Sequence, residues 1–279
     1  MGYIYGLLAS IIWGSWMTLT RLGFKSSLTV DDITFIRLAV GAIIILPILI
    51  KKGFMPKGLF NTLAIALSGG LIFIVSFNIG LKHNEVVYGA ITPVLVPFFV
   101  ATLNYIFYKK TIKPKQLFGI FLSILGIIIL LQNSYSVLND KWYLFFILAA
   151  LSWAIYTILL PLAKLDIFHL AALVIFWSAI IYIPYYIFVV DTKNIFNANI
   201  NDILVQVIMQ GVMVGIVALV FYNKATILLG SLRASIFPIL MPIIGIITSA
   251  IILSETISLL QGIVISLMIF GVLLAIGVI

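Results

Sequence analysis

Charged residues are scarce in this sequence. They make up 9% of its 279 residues, whereas a soluble domain carries about 25%. Hydrophobic residues make up 64%, so the chain has too few polar side chains to cover a surface that faces water. This composition excludes an ordinary soluble domain and predicts an integral membrane protein that has the lipid bilayer as its main partner.

Cysteine is absent, which excludes a disulfide framework and a thiolate metal site. The adjacent acids Asp31 and Asp32 are not spaced for binding a metal, and their neighbours offer no third ligand. They are instead expected to cap the second span, because acids stabilise the N-terminus of a helix. We therefore predict no catalytic residue, no metal and no cofactor, and we expect that the protein is not an enzyme.

Long apolar runs dominate the chain. A spanning helix needs about 20 mostly apolar residues, and continuous runs differ from the alternation of a membrane barrel. The sequence therefore predicts an all-α protein with ten transmembrane helices. They cover roughly residues 3–20, 32–50, 59–81, 86–108, 115–132, 142–163, 168–190, 203–224, 231–253 and 257–279.

The net charge of +8 is explained by membrane topology, so we expect no nucleic-acid partner. Cytoplasmic loops are rich in basic residues. With the N-terminus inside, ten of the sixteen basic residues fall in cytoplasmic loops. We expect a multi-pass protein of the inner (cytoplasmic) membrane with both termini in the cytoplasm, acting as a monomer or weak dimer.

The two halves of the chain resemble each other. When the sequence is shifted by 145 positions, 13 of the 51 residues in 77–127 are identical to those in 222–272. The matches include Asn78 with Asn223, and the pair Pro93 and Pro97 with Pro238 and Pro242. Five spans in each half place the second half in the opposite orientation. We predict two inverted repeats, residues 1–135 and 136–279, as in many secondary transporters.

Several short motifs resemble those of a known family. These are WGSW at residues 13–16, IRLAVGA at 36–42, and the prolines of the fourth and ninth spans. Together with ten spans in two repeats, they resemble the EamA-type permeases of the drug/metabolite transporter (DMT) superfamily. The resemblance covers the whole chain and implies a secondary carrier, often an exporter of amino acids or other small metabolites. Family members carry an acid after both proline-bearing spans, whereas this chain has Lys110 and Glu255 there.

Polar and aromatic residues inside the spans are candidates for lining a substrate cavity. Trp13 and Trp153 lie about ten residues into their spans, too deep for an interfacial belt, and the two asparagines occupy equivalent places in the two halves. The alternative for each residue is helix packing or an interhelical hydrogen bond. The candidates are Trp13, Trp16, Asn78, Trp153, Tyr156, Trp177, Tyr182 and Asn223.

The proline pairs are candidates for hinges. Proline removes a backbone donor and bends a helix, and in lipid the freed carbonyl must be satisfied by protein or by a water-filled cavity. Pro93, Pro97, Pro238 and Pro242 are therefore predicted to bend the fourth and ninth spans beside a central cavity. The alternative is a fixed kink that serves only packing.

No charged residue is expected in the central part of any span. Intramembrane charges mark ion and proton pathways, so their absence disfavours a proton-coupled exporter of cationic drugs. Arg37 is expected to anchor the second span at the outer interface, and the alternative is that it faces the vestibule. Without a buried cation, phosphate-bearing substrates are disfavoured, and we predict a small neutral or zwitterionic substrate that resembles an amino acid, aromatic ones included.

The leading functional prediction is a secondary transporter that works by alternating access, in the direction of export. A channel-like facilitator of small solutes is one alternative. A membrane-embedded lipid-modifying enzyme is another, but it would need clustered Asp, Glu or His near an interface. Saturable flux with trans-stimulation separates a carrier from a channel.

Overall fold

The computed structural model describes residues 1–24, 27–56, 58–83, 86–131, 141–191, 194–254 and 256–277, which form ten helical segments and no strand. The segments are α1 (Gly2–Phe24), α2 (Val30–Lys52), α3 (Leu59–His83), α4 (Ile91–Tyr108), α5 (Pro114–Leu131), α6 (Leu144–Ala163), α7 (Ile167–Phe188), α8 (Ile200–Leu229), α9 (residues 231–253) and α10 (Leu259–Ile276). They coincide with the ten apolar runs to within a few residues, so the prediction of an all-helical fold is confirmed.

The outer surface of these helices is apolar. Eight helical segments in the described ranges are long and apolar enough to cross a membrane. Large side chains such as Ile43, Phe107 and Phe188 are 73%, 65% and 83% exposed. Such residues would be unfavourable against water but are suited to lipid. The chain is a multi-pass membrane protein.

The helix ends follow from local sequence. Thr29 and Asp32 form a capping box at the start of α2, in which each side chain accepts a hydrogen bond from the backbone N–H of the other. Gly53 ends α2 with a φ of 90°, a conformation that glycine adopts without steric cost. Lys109 and Ser254, which stand 145 positions apart, end α4 and α9 in the same left-handed conformation, with φ of 52° and 55°.

Local structure recurs between the two halves. Shifting α5 by 145 positions gives residues 259–276, the bounds of α10. Helix α3 contains a π-helical segment at Leu67–Leu71, and α8 contains one at Val207–Ala218 that includes the shifted range 212–216. The sequence similarity is therefore accompanied by similar departures from regular α-helix at equivalent positions.

Helices from one half pack against helices of the other. Helix α1 packs on α8 and α9, α2 on α7 and α8, α3 on α6 and α7, and α4 on α6, while α5 pairs with α10. At the α5–α10 crossing, a Cβ on Gly119 would lie 2.4 Å from the carbonyl oxygen of Gly271. Small residues thus let these two backbones touch, as is common between membrane helices. The halves interlock around a central space.

Candidate functional site

A cavity lies where the two halves meet. Its wall is formed by α1, α2, α3, α4, α6, α7, α8 and α9, so in the described part of the chain only α5 and α10 lie outside it. The empty space amounts to about 840 Å³ when counted out to its opening. That figure includes the open mouth of the cavity, and the space that the centre of a water-sized sphere can reach is about 90 Å³.

Five aromatic rings form a continuous aromatic wall on the cavity. Going along the wall, ring centroids are 5.8 Å apart between Trp16 and Phe77, 5.8 Å between Phe77 and Phe73, 4.8 Å between Phe73 and Trp153, and 5.4 Å between Trp153 and Trp13. These are the spacings of favourable aromatic pairs. The wall offers a large apolar surface to a ligand and joins the first helix of each half.

The π-helical segments reach the cavity. Gly69 and Gly70 of α3 line it, as do Val214 and Gly215 of α8. A Cβ on Gly69 would lie 2.4 Å from the ring of Tyr156, so the missing side chain lets α3 approach α6 closely. Because π-helical turns are frequent at functional sites, their position here supports the cavity as the site of activity.

The proline pairs also adjoin the cavity. Pro93 and Pro238 line it, while Pro97 lies inside α4 and Pro242 lies in the turn after the 3-10 segment Phe237–Ile239 of α9. In a regular helix, the N–H of residue 97 would bind the carbonyl of residue 93, and that of 242 the carbonyl of 238. Proline at 97 and 242 removes both donors. The spacing of four therefore deprives the carbonyls of Pro93 and Pro238 of their α-helical donor, and that of Pro238 accepts from the N–H of Leu240 instead.

Arg37 is on the cavity wall, and its expected role as an interfacial anchor is not what the structure shows. It lies seven residues into α2, or about 10 Å along the helix. Its Nε and Nη2 donate to Oε1 of Gln210 at 3.1 and 2.5 Å, and its Cζ is 4.9 Å from the Trp16 ring. The expectation of no charge inside the spans is corrected accordingly.

A sequence signal for this position exists. The Thr29–Asp32 capping box marks the start of α2, and such a pattern can be recognised in a sequence. It places the helix start about two residues earlier than the apolar run does, and thus places Arg37 two turns inside the helix. Its partner Gln210 is 173 positions away, and nothing local indicates that contact.

Comparison with known proteins identifies the family. The model of the EamA-like transporter family matches residues 1–132 and 140–277. The chain belongs to the EamA-like transporter family. This family is part of the DMT superfamily, so the resemblance found in the sequence is confirmed. No curated protein matches the sequence.

A solved crystal structure has the same fold as this EamA-like protein. The TM-score is 0.78 over 99% of this chain and 96% of the other, at 13% sequence identity. At that identity the likeness concerns the fold alone. It shows that the ten-helix arrangement described above occurs in another protein.

The eight candidate residues of this EamA-like chain fall into two groups. Trp13, Trp16 and Trp153 line the cavity. The other five lie behind the wall or away from it, and each donates or accepts a hydrogen bond between segments. The bonds are Tyr156 Oη to Asn223 Oδ1 at 2.7 Å, Asn78 Nδ2 to Thr34 Oγ1 at 2.6 Å, Trp177 Nε1 to the Phe54 carbonyl at 3.1 Å, and Tyr182 Oη to Asp31 Oδ1 at 2.9 Å.

A polar cluster lies at the N-terminal end of α2, away from the cavity. Asp31 binds Lys82 and Tyr182, and Asp32 accepts a hydrogen bond from Tyr186. The two acids cap α2 as expected and also connect it to α3 and α7. Of the two positions where the family resemblance implies an acid, Lys110 is exposed after α4, and Glu255 lies outside the described residues.

Proposed function

We propose that this EamA-like protein is a secondary transporter that moves a small neutral or zwitterionic molecule, resembling an amino acid, across the cytoplasmic membrane by alternating access, in the direction of export. The observation that carries the proposal is the central cavity, which both halves enclose and which combines the aromatic wall with a single charged residue, Arg37, among its described lining. A cavity of this kind suits a molecule that has one polar end and an apolar body.

Alternating access is supported by the relation between the halves. The family model matches the chain in two ranges, 1–132 and 140–277, and the π-helical segments occur at equivalent places in each. We propose that residues 1–135 and 136–279 are inverted repeats that rock about the cavity, as in other carriers with such repeats. The described helices of one chain enclose the cavity, so a monomer or weak dimer is sufficient.

The proposal is tested by flux into proteoliposomes. A carrier gives saturable uptake of a radiolabelled amino acid such as phenylalanine, and uptake accelerates when unlabelled substrate is present on the other side. Uptake that rises linearly with concentration and lacks trans-stimulation would indicate a channel instead. Testing a panel of amino acids, nucleosides and sugars in the same assay identifies the transported class.

Variants in the aromatic wall provide the residue-level test. Trp13→Ala and Trp153→Ala remove cavity-lining rings and should weaken substrate binding about tenfold or more, since a buried aromatic contributes strongly to binding. Trp142→Ala is the matched control, because Trp142 stacks on His83 at a helix end and is not in the cavity wall. Equal effects at all three tryptophans would contradict the assignment of the cavity.

A further inference from the structure

The guanidinium of Arg37 lacks an acidic partner within the described part of the chain. The two ion pairs found there join Lys52 to Asp166 and Lys82 to Asp31. Neither pair involves a residue of the cavity wall. A positive charge beside an apolar cavity is costly unless it is paired, so Arg37 is placed to interact with a negative group that enters the cavity.

The position of Arg37 is fixed by neutral groups. Gln210 accepts two of the five N–H groups of the guanidinium on one oxygen, and the remaining three are not used in that bond. Gln210 is fully buried on the π-helical segment of α8. This contact orients the side chain without neutralising it, so little conformational freedom is lost when a ligand binds.

Trp16 adds a second feature at the same place. Its ring lies 4.9 Å from Cζ of Arg37, and its indole Nε1 is buried without a hydrogen-bond partner among the described residues. A buried donor without an acceptor is unfavourable, because it has lost its hydrogen bond to water. A small shift of this ring toward a bound acceptor would remove that cost, and the acceptor would then be held by two donors from α1 and α2.

We propose that Arg37 binds the carboxylate of the transported molecule, which within the zwitterionic class proposed above is an amino acid with an apolar, typically aromatic, body. Arginine matches a carboxylate by paired N–H donors. The aromatic wall begins at Trp16, 5.8 Å from Phe77, and would hold the apolar body beside the charge. A single cation balances one negative charge, which favours a carboxylate over a phosphate dianion. This inference rests on the transport function proposed above.

The charge of the ligand is tested with pairs of probes that share one body. Phenylacetate is compared with phenylacetamide, and L-phenylalanine with L-phenylalaninamide, by quenching of tryptophan fluorescence in the purified full-length protein. Trp13, Trp16 and Trp153 line the cavity, so occupancy changes their emission. We expect each acid to bind about 10- to 100-fold more tightly than its amide, the range of a charge-assisted hydrogen bond.

Variants assign that preference to Arg37. Arg37→Gln should abolish the preference for the acid, and Arg37→Lys should retain part of it, because lysine keeps the charge but lacks the planar fork. Arg233→Gln is the matched control at an exposed basic residue outside the cavity wall, and it should behave as the parent. Monodisperse size-exclusion profiles confirm that each variant is folded.

The results separate this inference from the transport proposal. Equal binding of acid and amide by the parent, an undiminished preference in Arg37→Gln, or no binding of either acid would overturn the carboxylate site. Acid-selective binding that depends on Arg37, without flux in proteoliposomes, would support the site and contradict transport. Saturable flux of a neutral solute that is unchanged in Arg37→Gln would support transport and contradict the carboxylate site.

Discussion

Lys82 and Asp31 form an ion pair that joins the end of α3 to the start of α2, with 2.7 Å between Nζ and Oδ2. The other carboxylate oxygen of Asp31 accepts a hydrogen bond from Tyr182 on α7 at 2.9 Å. The Asp31 side chain is 10% exposed and that of Lys82 is 38% exposed. Asp31 is therefore the shared acceptor through which three helices are connected.

Replacing Asp31 should destabilise the protein more than replacing Lys82. In Asp31→Ala, the Tyr182 hydroxyl loses its acceptor inside the protein, a loss of about 1–3 kcal/mol. In Lys82→Ala, the carboxylate keeps its bond from Tyr182, and the partly exposed position limits the loss to about 1 kcal/mol or less. Thermal unfolding in detergent measures both, with Asp202→Ala in the first turn of α8 as the control. Equal shifts for Asp31 and Lys82 would show that Asp31 is not the shared acceptor.

Glycine at position 69 should be required for packing. In Gly69→Ala the new Cβ would lie 2.4 Å from the Tyr156 ring, and forced overpacking costs about 1–3 kcal/mol. Gly262→Ala is the control, since a Cβ there meets no heavy atom within 4 Å, and alanine is a better helix former by about 1 kcal/mol. The melting temperature should fall in the first variant and rise or stay constant in the second. An unchanged melting temperature in Gly69→Ala would mean that α3 and α6 can move apart without a loss of stability.

The fold was predictable because its determinants are local. A run of about 20 apolar residues specifies a membrane helix wherever it occurs, and the shared spacing of the four prolines predicts a repeat. The cavity was less predictable. Trp13 and Trp153 were found because they lie deep in equivalent spans, but depth alone does not tell which way a side chain faces.

Polar side chains in the spans show why the site was only partly predictable. In lipid every polar group needs a partner inside the protein. A buried Asn or Tyr that lines a cavity therefore looks the same in the sequence as one that joins two helices. Tyr156 and Asn223 bind each other across 67 positions, and Asn78 binds Thr34. The sequence predicts an interfacial position for Arg37, because basic side chains usually extend to the membrane surface. The capping box of Thr29 and Asp32 places Arg37 two turns inside α2, but the contact with Gln210 is visible only in the tertiary structure.

Asp166 should contribute a small, acid-sensitive part of the stability. Partial burial alone would raise the pKa of its carboxyl, but the hydrogen bond to Lys52 and the backbone N–H groups of His169 and Phe168 keep the pKa below its usual value. Because the folded pKa is lowered, the contribution is present above the unfolded pKa of about 4 and is lost as the pH falls through the folded pKa.

The test for Asp166 is the melting temperature between pH 7 and pH 3. The melting temperature of Asp166→Asn should lie below that of the parent at pH 7. The difference between the two melting temperatures should become smaller below about pH 4. The effect is small because both side chains of the pair are more than 40% exposed, at 43% and 44%, and solvent screens the pair. The melting temperature of Lys52→Gln should likewise approach that of the parent as the pH falls. A gap that is constant over this pH range would exclude ionisation of Asp166 as its source.

Both chain termini should lie in the cytoplasm. The expectation comes from the ten-to-six distribution of basic residues. The ion pair between Lys52 and Asp166 joins the end of α2 to the N-cap of α7, so these two helix ends lie on the same side of the membrane in either orientation of the chain. Reporter fusions after residue 279 and in the loop near Asn139 should label opposite sides of the membrane. An external C-terminus would contradict the inverted repeat as drawn.

Alanine at Pro97 or Pro242 should supply the α-helical donor that proline withholds from the carbonyl of Pro93 or Pro238, although the Pro238 carbonyl already accepts from the N–H of Leu240. The helix would then be straighter and stiffer beside the cavity. Neither Pro97 nor Pro242 is in the cavity wall, whereas Pro93 and Pro238 are. The substitutions therefore remove no contact with a ligand. If the bends serve the conformational change, flux should fall several-fold while binding of phenylalanine stays within about twofold of the parent.

Pro184→Ala is the matched control for these variants. Pro184 also lies inside a helix, α7, but its side chain is exposed on the outer surface and it is absent from the cavity wall. Restoring a donor there should leave both flux and binding unchanged. Flux and affinity are measured on the same purified proteins, so that a slower cycle can be separated from weaker binding. Parental flux in Pro97→Ala and Pro242→Ala would show that the bends are fixed features of packing, because a hinge whose missing hydrogen bond is restored cannot move as freely as before.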